Sequence, residues 1–227
     1  MTAYLLPEER RSTARFRANV YRFLAGVFLT PIPPEGLEYV RQLQAAVRAM
    51  PQVEGEGEMV TGTALLQEFA AEATAADLAK LQLGLAIERT LLCRGVRETD
   101  APPPPFESLY RAGAEAAPTA CLLAVVNAYQ QAGWAVSEER RERPDYVGIE
   151  LSFMAALCDE EPAAGEDPDR LATLIHLERR FVEDHLITWV PAYCRAVFNH
   201  ARSSFFQGIA HLLLGFLNEE AQVLSEV

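Results

Sequence analysis

The chain has 227 residues, of which 50% are hydrophobic and 23% charged, and it carries a formal net charge of −12 with a sequence pI of about 4.8. This length and composition predict an ordinary folded protein with a sizeable core, organised as one domain or a compact pair. The acidic balance argues against a nucleic-acid-binding module, because neutralising phosphates requires clustered Lys and Arg, and it favours a basic partner.

The N-terminal segment has Arg10 and Arg11 ahead of apolar residues, an arrangement shared with twin-arginine export leaders. Arg15, Arg17 and Arg22 interrupt the apolar stretch, and no small-residue cleavage site follows. The apolar positions recur instead at helical spacing: Phe16, Val20, Phe23, Leu24, Val27 and Phe28. We therefore expect the first core helix of a mature cytoplasmic protein. No charge-free apolar run of about eighteen residues predicts a membrane span or stable membrane insertion.

Helical periodicity recurs along nearly the whole sequence and strand-like alternation hardly appears, so the predicted fold class is all-α, with about nine to ten helices. The predicted helices cover residues 10–29, 35–49, 61–72, 75–93, 118–133, 145–159, 168–183, 186–200 and 203–219. Proline- and glycine-rich segments separate them. We expect a single all-helical domain over residues 1–227, with a proline-rich connector near residues 101–105.

Motifs for metal, redox or nucleotide chemistry are missing from the sequence. The four cysteines lack CxxC spacing and are predicted to be core thiols: Cys93, Cys121, Cys158 and Cys194. A di-metal site in a bundle needs a carboxylate three residues before a histidine, and those positions hold Thr173, Val182, Val197 and Gly208. Because no phosphate-cradling loop or nucleophile elbow occurs either, we predict no catalytic residue, no metal ligand and no cofactor.

The stretch "DAPPPPFESLY" (residues 100–110) interrupts the helices with four consecutive prolines. Such a run is rigid and lacks backbone donors, so it is predicted to be neither helix nor buried strand. Phe106 and Tyr110 would share one face of a short helical turn, with Glu107 and Ser108 turned elsewhere. The segment is interpreted either as a stiff connector or as a brace that holds "FESLY" in a binding surface.

The stretch "RPDYVGIELSFMAAL" predicts a helix with Asp145 as its N-cap and with Tyr146 and Glu150 four residues apart on one face. The predicted core face holds Ile149, Phe153, Ala156 and Leu157. One interpretation is an ordinary capped amphipathic helix. The other is a polar lip beside an apolar groove, where the lip residues receive an arginine of a partner through charge-assisted hydrogen bonds.

The last two predicted helices are apolar on more than one face, which predicts burial on several sides. The residues concerned are Leu186, Val190, Cys194, Val197 and Phe198, followed by Phe205, Ile209, Leu212, Leu213 and Phe216. Pro191 is expected in the first turn of its helix, where its missing N–H costs little. The loop "DEEPAAGEDPD" (residues 159–169) is hinge-like, so both a monomer and a domain-swapped dimer stay open.

Four segments in order, "PPFESLY", "PDYVGIELSFM", "DHLITWVPAY" and "FFQGIAHLLLGFL", resemble the TorD/DmsD/NarJ family of cytoplasmic redox-enzyme maturation chaperones. The resemblance implies an all-helical chaperone, not an enzyme, that binds the twin-arginine leader and the catalytic subunit of a molybdoenzyme precursor. It implies that cofactor insertion is assisted and premature export prevented. A weak contact with a nucleotide or with the molybdopterin cofactor is a further implication, for which the sequence carries no strong site.

The residues that match the family's two short elements, together with one tryptophan, are the expected leader-peptide-binding residues: Pro105, Phe106, Glu107, Ser108, Tyr110, Asp145, Tyr146, Glu150 and Trp189. Pro104 and Leu151 match the same elements. The chain departs from the family at Tyr146, where the family usually has histidine, and at Cys93, where it commonly has an aromatic residue. A role that needs a titrating imidazole at position 146 is therefore not expected.

Two other functional classes stay open from the residues alone. A helical small-ligand-binding regulator should carry a basic helix-turn-helix, which the acidic balance disfavours. A metal-dependent bundle enzyme should carry ligand spacings that the sequence lacks.

Overall fold

The computed structural model describes residues 7–33, 37–51, 53–75, 77–95, 101–111, 118–137, 142–165 and 167–226. Within these ranges the chain forms helices, and only one isolated bridge, between Phe106 and Tyr146, has strand-like pairing. The helices are α1 (Pro7–Leu29), α2 (Glu38–Arg48), α3 (Glu58–Ala75), α4 (Leu78–Arg94), α5 (Glu107–Tyr110), α6 (Pro118–Gln131), α7 (Val147–Ala164), α8 (Pro168–Phe181), α9 (Ile187–His200) and α10 (Ser204–Ser225). The all-α prediction is confirmed.

Each predicted helix corresponds to an observed one, although several ends differ. Residues 35, 36 and 76 of the predicted second and fourth helices lie outside the described part. The prediction that α7 ends at residue 159 is wrong, because the helix continues through Pro162 to Ala164. Glu161 pairs with an arginine of α1 and Ala164 is buried, so tertiary contacts offset the cost of a proline inside the helix. Most of the predicted hinge loop is therefore helix.

The predicted break between residues 183 and 186 is also wrong. A π-turn at Val182–Leu186 connects α8 to α9, and the N–H of Ile187 donates to the carbonyl of Val182, five residues earlier. The segment contains no Gly or Pro that would end the helix. Pro191 consequently lies inside a continuous helical segment rather than in the first turn of a new helix.

Contacts group the chain into two compact units. The first comprises residues 1–29, 106–190 and 217–227, and the second comprises residues 30–105 and 191–216. In the first unit α1 packs closely on the start of α7, since a Cβ added to Gly148 would lie 2.6 Å from Cγ of Leu29. The hydroxyl of Tyr146 donates to the carbonyl of Phe28 over 3.0 Å and fixes the same contact.

The second unit is built around the close approach of α3 and α10. A Cβ on Gly208 would lie 3.0 Å from the carbonyl oxygen of Gly62, so only glycine permits this spacing. The rings of Phe69 and Phe205 pack beside it with centroids 4.9 Å apart. In the same unit, residues 101–105 form neither helix nor strand, as predicted for the proline-rich connector.

Burial agrees with most of the predicted core. All four cysteines are buried. The apolar residues predicted for the last helix are buried as well: Phe205, Ile209, Leu212, Leu213 and Phe216. The prediction is wrong at Phe16, whose surface is 43% exposed, whereas the neighbouring Arg17 is buried. Within the described residues, no helix is sufficiently long and apolar to cross a membrane.

Candidate functional site

Several expected site residues of the first unit meet in one place, which we call the carboxylate cluster. Its members come from α5, from the start of α7 and from the π-turn region. They are Glu107, Ser108, Asp145, Glu150, His185 and Trp189, together with Arg111 and Arg143.

Glu107 is the first residue of α5 and is completely buried. His185 Nδ1 lies 3.0 Å and 3.1 Å from the two carboxylate oxygens of Glu107. Because an ionised carboxylate only accepts hydrogen bonds, the proton of the imidazole belongs on Nδ1. Nη1 of Arg111, one turn after Glu107, donates to Oε1 over 2.7 Å. Glu107 is therefore held by one buried and one partly exposed side chain.

Asp145 connects α5 to the start of α7 but is not the predicted N-cap. Tyr146 occupies the cap position of α7, without a side-chain cap hydrogen bond. Oδ2 of Asp145 instead accepts from the backbone N–H of Ser108 over 3.3 Å and from Nη2 of Arg143 over 2.9 Å. The backbone carbonyl of Asp145 accepts from the N–H of Glu107. The carboxylate thus joins two segments instead of ending one helix.

Glu150 lies one turn into α7 and is completely buried. Burial raises the pKa of its carboxyl group well above the usual value, and the charge of Glu107 raises it further. The indole N–H of Trp189 donates to Oε2 over 3.1 Å and opposes the shift only in part. Oε1 accepts no hydrogen bond among the described residues. Protonation reduces the cost of this unpaired oxygen, because a neutral carboxyl group is less costly to bury than a carboxylate.

Aromatic side chains surround these carboxyl groups. The Phe106 and Tyr146 rings pack with centroids 5.3 Å apart, and those of Tyr110 and Trp189 with centroids 5.7 Å apart. The guanidinium of Arg143 lies 4.9 Å from the centroid of the Phe106 ring. These rings lower the local polarity, which strengthens each charge–charge contact in the cluster.

Eight of the nine expected leader-binding residues lie in the first unit and take part in these contacts. Pro105 is buried and belongs to the second unit. The expected polar lip differs from the structure, because Asp145, Tyr146 and Glu150 are all buried rather than exposed at a surface. Their partners come from other elements, and this burial could not be inferred from spacing along one helix.

Sequence reasoning missed three residues of the cluster: Arg111, Arg143 and His185. The signals were present but ambiguous, since His185 lies in the segment "DHLITWVPAY" and Arg143 immediately precedes the "PDY" motif. The sequence pattern for a metal-binding histidine concerns only the residue three positions before it. The carboxylate that His185 contacts is 78 residues away in the chain.

A cavity of about 410 Å³ lies beside the cluster within the first unit. Arg111, His185 and Thr188 line it, as do the acidic residues Glu183 and Asp184. A mixed lining of this kind suits a polar or charged side chain better than an apolar one. The predominantly apolar cavity, of about 900 Å³, lies in the second unit along α4.

A second buried polar group, the Arg17 cluster, lies elsewhere in the first unit. Arg17 contacts Glu161, Glu178 and Glu220, and Tyr21 donates to Glu220 over 2.9 Å. Atoms of Cys158, Glu161 and Glu178 that could bind a metal lie within 4.8 Å of one another. However, the Arg17 guanidinium already binds both of these glutamates, so a cation would have to displace it. The arrangement therefore favours an ion-pair network over a metal site.

Comparison with known proteins assigns the sequence of this chain to a family. Residues 56–195, more than half of the chain, match the family described as "Nitrate reductase delta subunit". The match includes α3 to α8 and all the members of the carboxylate cluster.

Several relatives whose names describe them as chaperones match parts of the chain. A selenate reductase assembly chaperone protein of Thauera selenatis is 38% identical over 60 residues, covering 26% of this chain and 31% of the relative. Chaperone protein TorD of Vibrio cholerae is 25% identical over 95 residues, covering 42% and 43%. TorD of Aggregatibacter aphrophilus is 25% identical over 120 residues, covering 52% and 51%.

The matched stretches thus span between about a third and about half of the relatives' lengths. The family model, which covers more of the chain, agrees with the resemblance inferred from the four sequence motifs. The chain belongs to the nitrate reductase delta subunit family, and the relatives that it matches are named as a selenate reductase assembly chaperone and as TorD chaperones.

Proposed function

We propose that this protein is a cytoplasmic chaperone that binds the twin-arginine leader and the catalytic subunit of a molybdopterin-dependent oxidoreductase precursor. In this role it assists cofactor insertion and prevents premature export. The observation that carries the proposal is the carboxylate cluster, where fully buried Glu107 and Asp145 lie in motifs that resemble those of the TorD/DmsD/NarJ family.

The chemistry of the cluster suits arginine. A guanidinium donates several hydrogen bonds in a planar fork and keeps its charge, whereas a lysine ammonium acts as a point charge. Oδ1 of Asp145 accepts no hydrogen bond among the described residues, although the side chain is completely buried. Leaving such an oxygen unpaired costs on the order of 1–3 kcal/mol, which an incoming donor recovers.

The site also offers aromatic and acidic surface for the rest of a leader. Such a segment is basic at one end and apolar in the middle. Phe106 and Tyr110 flank the carboxylates, and the chain as a whole carries a net charge of −12, which favours approach of a basic segment.

Titration of a leader peptide against the purified protein tests the proposal. The peptide should carry two adjacent arginines ahead of an apolar stretch, and the matched peptide should carry two lysines. Trp189 is buried beside Tyr110 and donates a hydrogen bond to Glu150, so its fluorescence reports binding. We expect roughly micromolar or tighter binding of the arginine peptide and weaker binding of the lysine peptide.

Glu107→Gln and Asp145→Asn should each weaken binding of the arginine peptide by about 1–3 kcal/mol, between roughly fivefold and 150-fold. Glu160→Gln is the matched control, because Glu160 forms an exposed pair with Arg170. Unchanged affinity in both cluster variants, with folding intact, would remove these carboxylates from the leader site.

Capture from the cytoplasm of the native host, with identification by mass spectrometry, names the client. Recovery of a molybdoenzyme catalytic subunit whose leader binds the cluster supports the full proposal. Recovery of that subunit without leader binding assigns the contact to the mature enzyme. If no molybdoenzyme subunit is recovered, the proposal fails.

A further inference from the structure

The two carboxylates that we assign to leader binding are already paired with arginines of the same chain. Nη1 of Arg111 donates to Glu107, and Nη2 of Arg143 donates to Asp145. The carboxylates have no exposed side-chain surface, whereas the Arg111 side chain is 34% exposed and that of Arg143 is 46% exposed. Each pair therefore joins a buried acceptor to a donor that reaches solvent.

Towards the described residues, both resident arginines use only part of their hydrogen-bonding capacity. Arg111 contacts Glu107 through one terminal nitrogen, and Arg143 uses one terminal nitrogen for both Asp145 and the hydroxyl of Ser108. A guanidinium that binds a carboxylate through two nitrogens forms a stronger pair than one that uses a single nitrogen. The resident contacts are thus weaker than the site allows.

The cluster also retains acceptors that its own arginines leave unused. Oδ1 of Asp145 is buried and accepts no hydrogen bond among the described residues. A second guanidinium donor directed at Asp145 would pair this oxygen. Neither resident arginine donates to this oxygen. The unused acceptor therefore indicates a cationic ligand that brings more hydrogen-bond donors than the resident arginines do.

Two residues that accept hydrogen bonds from the resident arginines are adjacent along the chain. Glu107 holds one guanidinium, and the next residue, Ser108, helps Asp145 to hold the other. Consecutive residues place their Cα atoms about 3.8 Å apart, so neighbouring acceptors suit a ligand with two consecutive arginines. Two consecutive arginines of one segment could therefore each approach one of these neighbouring acceptors.

Space and countercharge for a displaced Arg111 lie next to the cluster. The cavity of about 410 Å³ is lined by Arg111 itself and by two acidic residues, Glu183 and Asp184, of which Asp184 already pairs with Arg180. A side chain that leaves Glu107 would enter this cavity, where Glu183 supplies a carboxylate. The exchange would leave no buried carboxylate without a cation once the ligand is bound.

We propose that Arg111 and Arg143 are resident place-holders that occupy the arginine sites of the free chaperone, and that the two arginines of the client leader displace them. This inference rests on the proposed function and adds a regulatory property to it. The residents stabilise the buried carboxylates in the free protein and compete with every cationic segment. A single basic side chain gains too little to displace them, whereas two paired arginines gain at both positions.

Calorimetric titration of the arginine leader peptide into Arg111→Gln and Arg143→Gln tests the exchange. Removing a competitor should tighten binding by about fivefold or more in each variant. Arg180→Gln is the matched control, because Arg180 lines the same cavity but pairs with the exposed Asp184. The control loses the same charge, so it should change affinity by less than about twofold if exchange rather than general electrostatics is responsible.

Arg111→Lys provides a second variant in case loss of the charge impairs folding. It retains the cation but lacks the guanidinium, so its affinity should lie between those of the wild type and Arg111→Gln. Circular dichroism and urea unfolding check that each variant is folded.

The outcomes separate this inference from the proposed function. One outcome overturns the exchange and leaves the leader site intact. In it the wild type binds the peptide, Glu107→Gln binds it more weakly, and neither Arg111→Gln nor Arg143→Gln binds it more tightly than the wild type. Tighter binding in the resident variants, including binding only after their removal, supports the exchange. Absence of binding in the wild type and in every variant overturns both.

Discussion

The two buried ion clusters of the first unit use the same chemical groups in opposite ways. Arg17 donates from Nε, Nη1 and Nη2 to three glutamates, and its side chain is only 8% exposed. In the carboxylate cluster, Arg111 and Arg143 each use one nitrogen and remain partly exposed. Closed pairing of the first kind stabilises a fold, whereas open pairing of the second kind leaves a site that a ligand can enter.

The clusters also balance charge differently. Three glutamates surround one arginine in the Arg17 cluster, so the charges cancel only if some carboxyl groups are protonated. Burial raises the pKa of Glu178 to about 8, with the Arg17 charge opposing the shift. The carboxylate cluster has two arginines at its edge and one carboxyl group, Glu150, whose pKa burial raises well above its usual value. The following variants examine this difference.

Arg17→Met should have the largest effect on folding. Removing the guanidinium leaves Glu161 and Glu220 buried without their cation, which costs about 3–5 kcal/mol of the free energy of unfolding. Urea unfolding followed by circular dichroism measures the loss. Arg22→Met is the matched control, because Arg22 forms an exposed pair with Asp159 and should change stability by about 1 kcal/mol or less. Equal losses in the two variants would show that the Arg17 cluster is not a closed structural pair.

Glu178→Gln should change how stability depends on pH. The pKa of Glu178 is about 8 in the folded chain against 4.5 for the free group, so the folded state binds the proton more tightly. The stabilisation from this proton is complete below about pH 4.5 and is lost as the pH rises towards about 8, with a slope of at most about 1.4 kcal/mol per pH unit.

The groups facing Glu178 are Arg17, Glu161, Glu220 and Cys158, and the variant retains all of them. The difference in unfolding free energy between wild type and Glu178→Gln should therefore decline from about pH 5 to pH 8 and then level off. Urea titrations across that range measure it. If the difference in unfolding free energy does not change with pH, Glu178 is ionised in the folded protein and its pKa is not raised.

Sequence patterns predicted the helices of both clusters but not the clusters themselves. Helical spacing is local, and α1 was found from its apolar positions although Arg17 was treated only as an interruption of them. The glutamates that surround Arg17 are 144, 161 and 203 residues away in the chain. Partners so distant leave no periodic signal in one helix.

The carboxylate cluster was predicted further, because Glu107 and Asp145 stand in short motifs that resemble a known family. The incorrect N-cap prediction for Asp145 has a clear physical reason. Local rules place an aspartate after a proline at a helix start, but here the Asp145 carboxylate accepts from the N–H of Ser108, 37 residues away. The π-turn that positions His185 was missed because a break between two helices was predicted at residues 183–186, although no Gly or Pro in this segment ends the helix.

Tyr21→Phe should have a smaller effect within the closed cluster. The hydroxyl of Tyr21 donates to Glu220 over 2.9 Å and is buried with it. A hydrogen bond to a charged group contributes about 1.5–3 kcal/mol, and the loss should appear in urea unfolding. Tyr146→Phe is the matched comparison, since its hydroxyl donates to a neutral backbone carbonyl and its loss should cost about 1 kcal/mol. If Tyr146→Phe is the more costly change, the hydrogen bond from Tyr21 to Glu220 is not the stronger of the two.

Glu150→Gln should have the smallest effect, because it tests whether the carboxylate cluster contains two negative charges or three. A neutral Glu150 already resembles glutamine in size and hydrogen bonding, so the variant should lose about 1 kcal/mol or less at pH 6 and still accept from Trp189. Its affinity for the arginine peptide should stay within about threefold of wild type. Glu107→Gln, measured in parallel, should lose both stability and affinity. Equal losses in the two variants would mean that Glu150 is ionised, and the two arginines of a leader would then face three carboxylates rather than two.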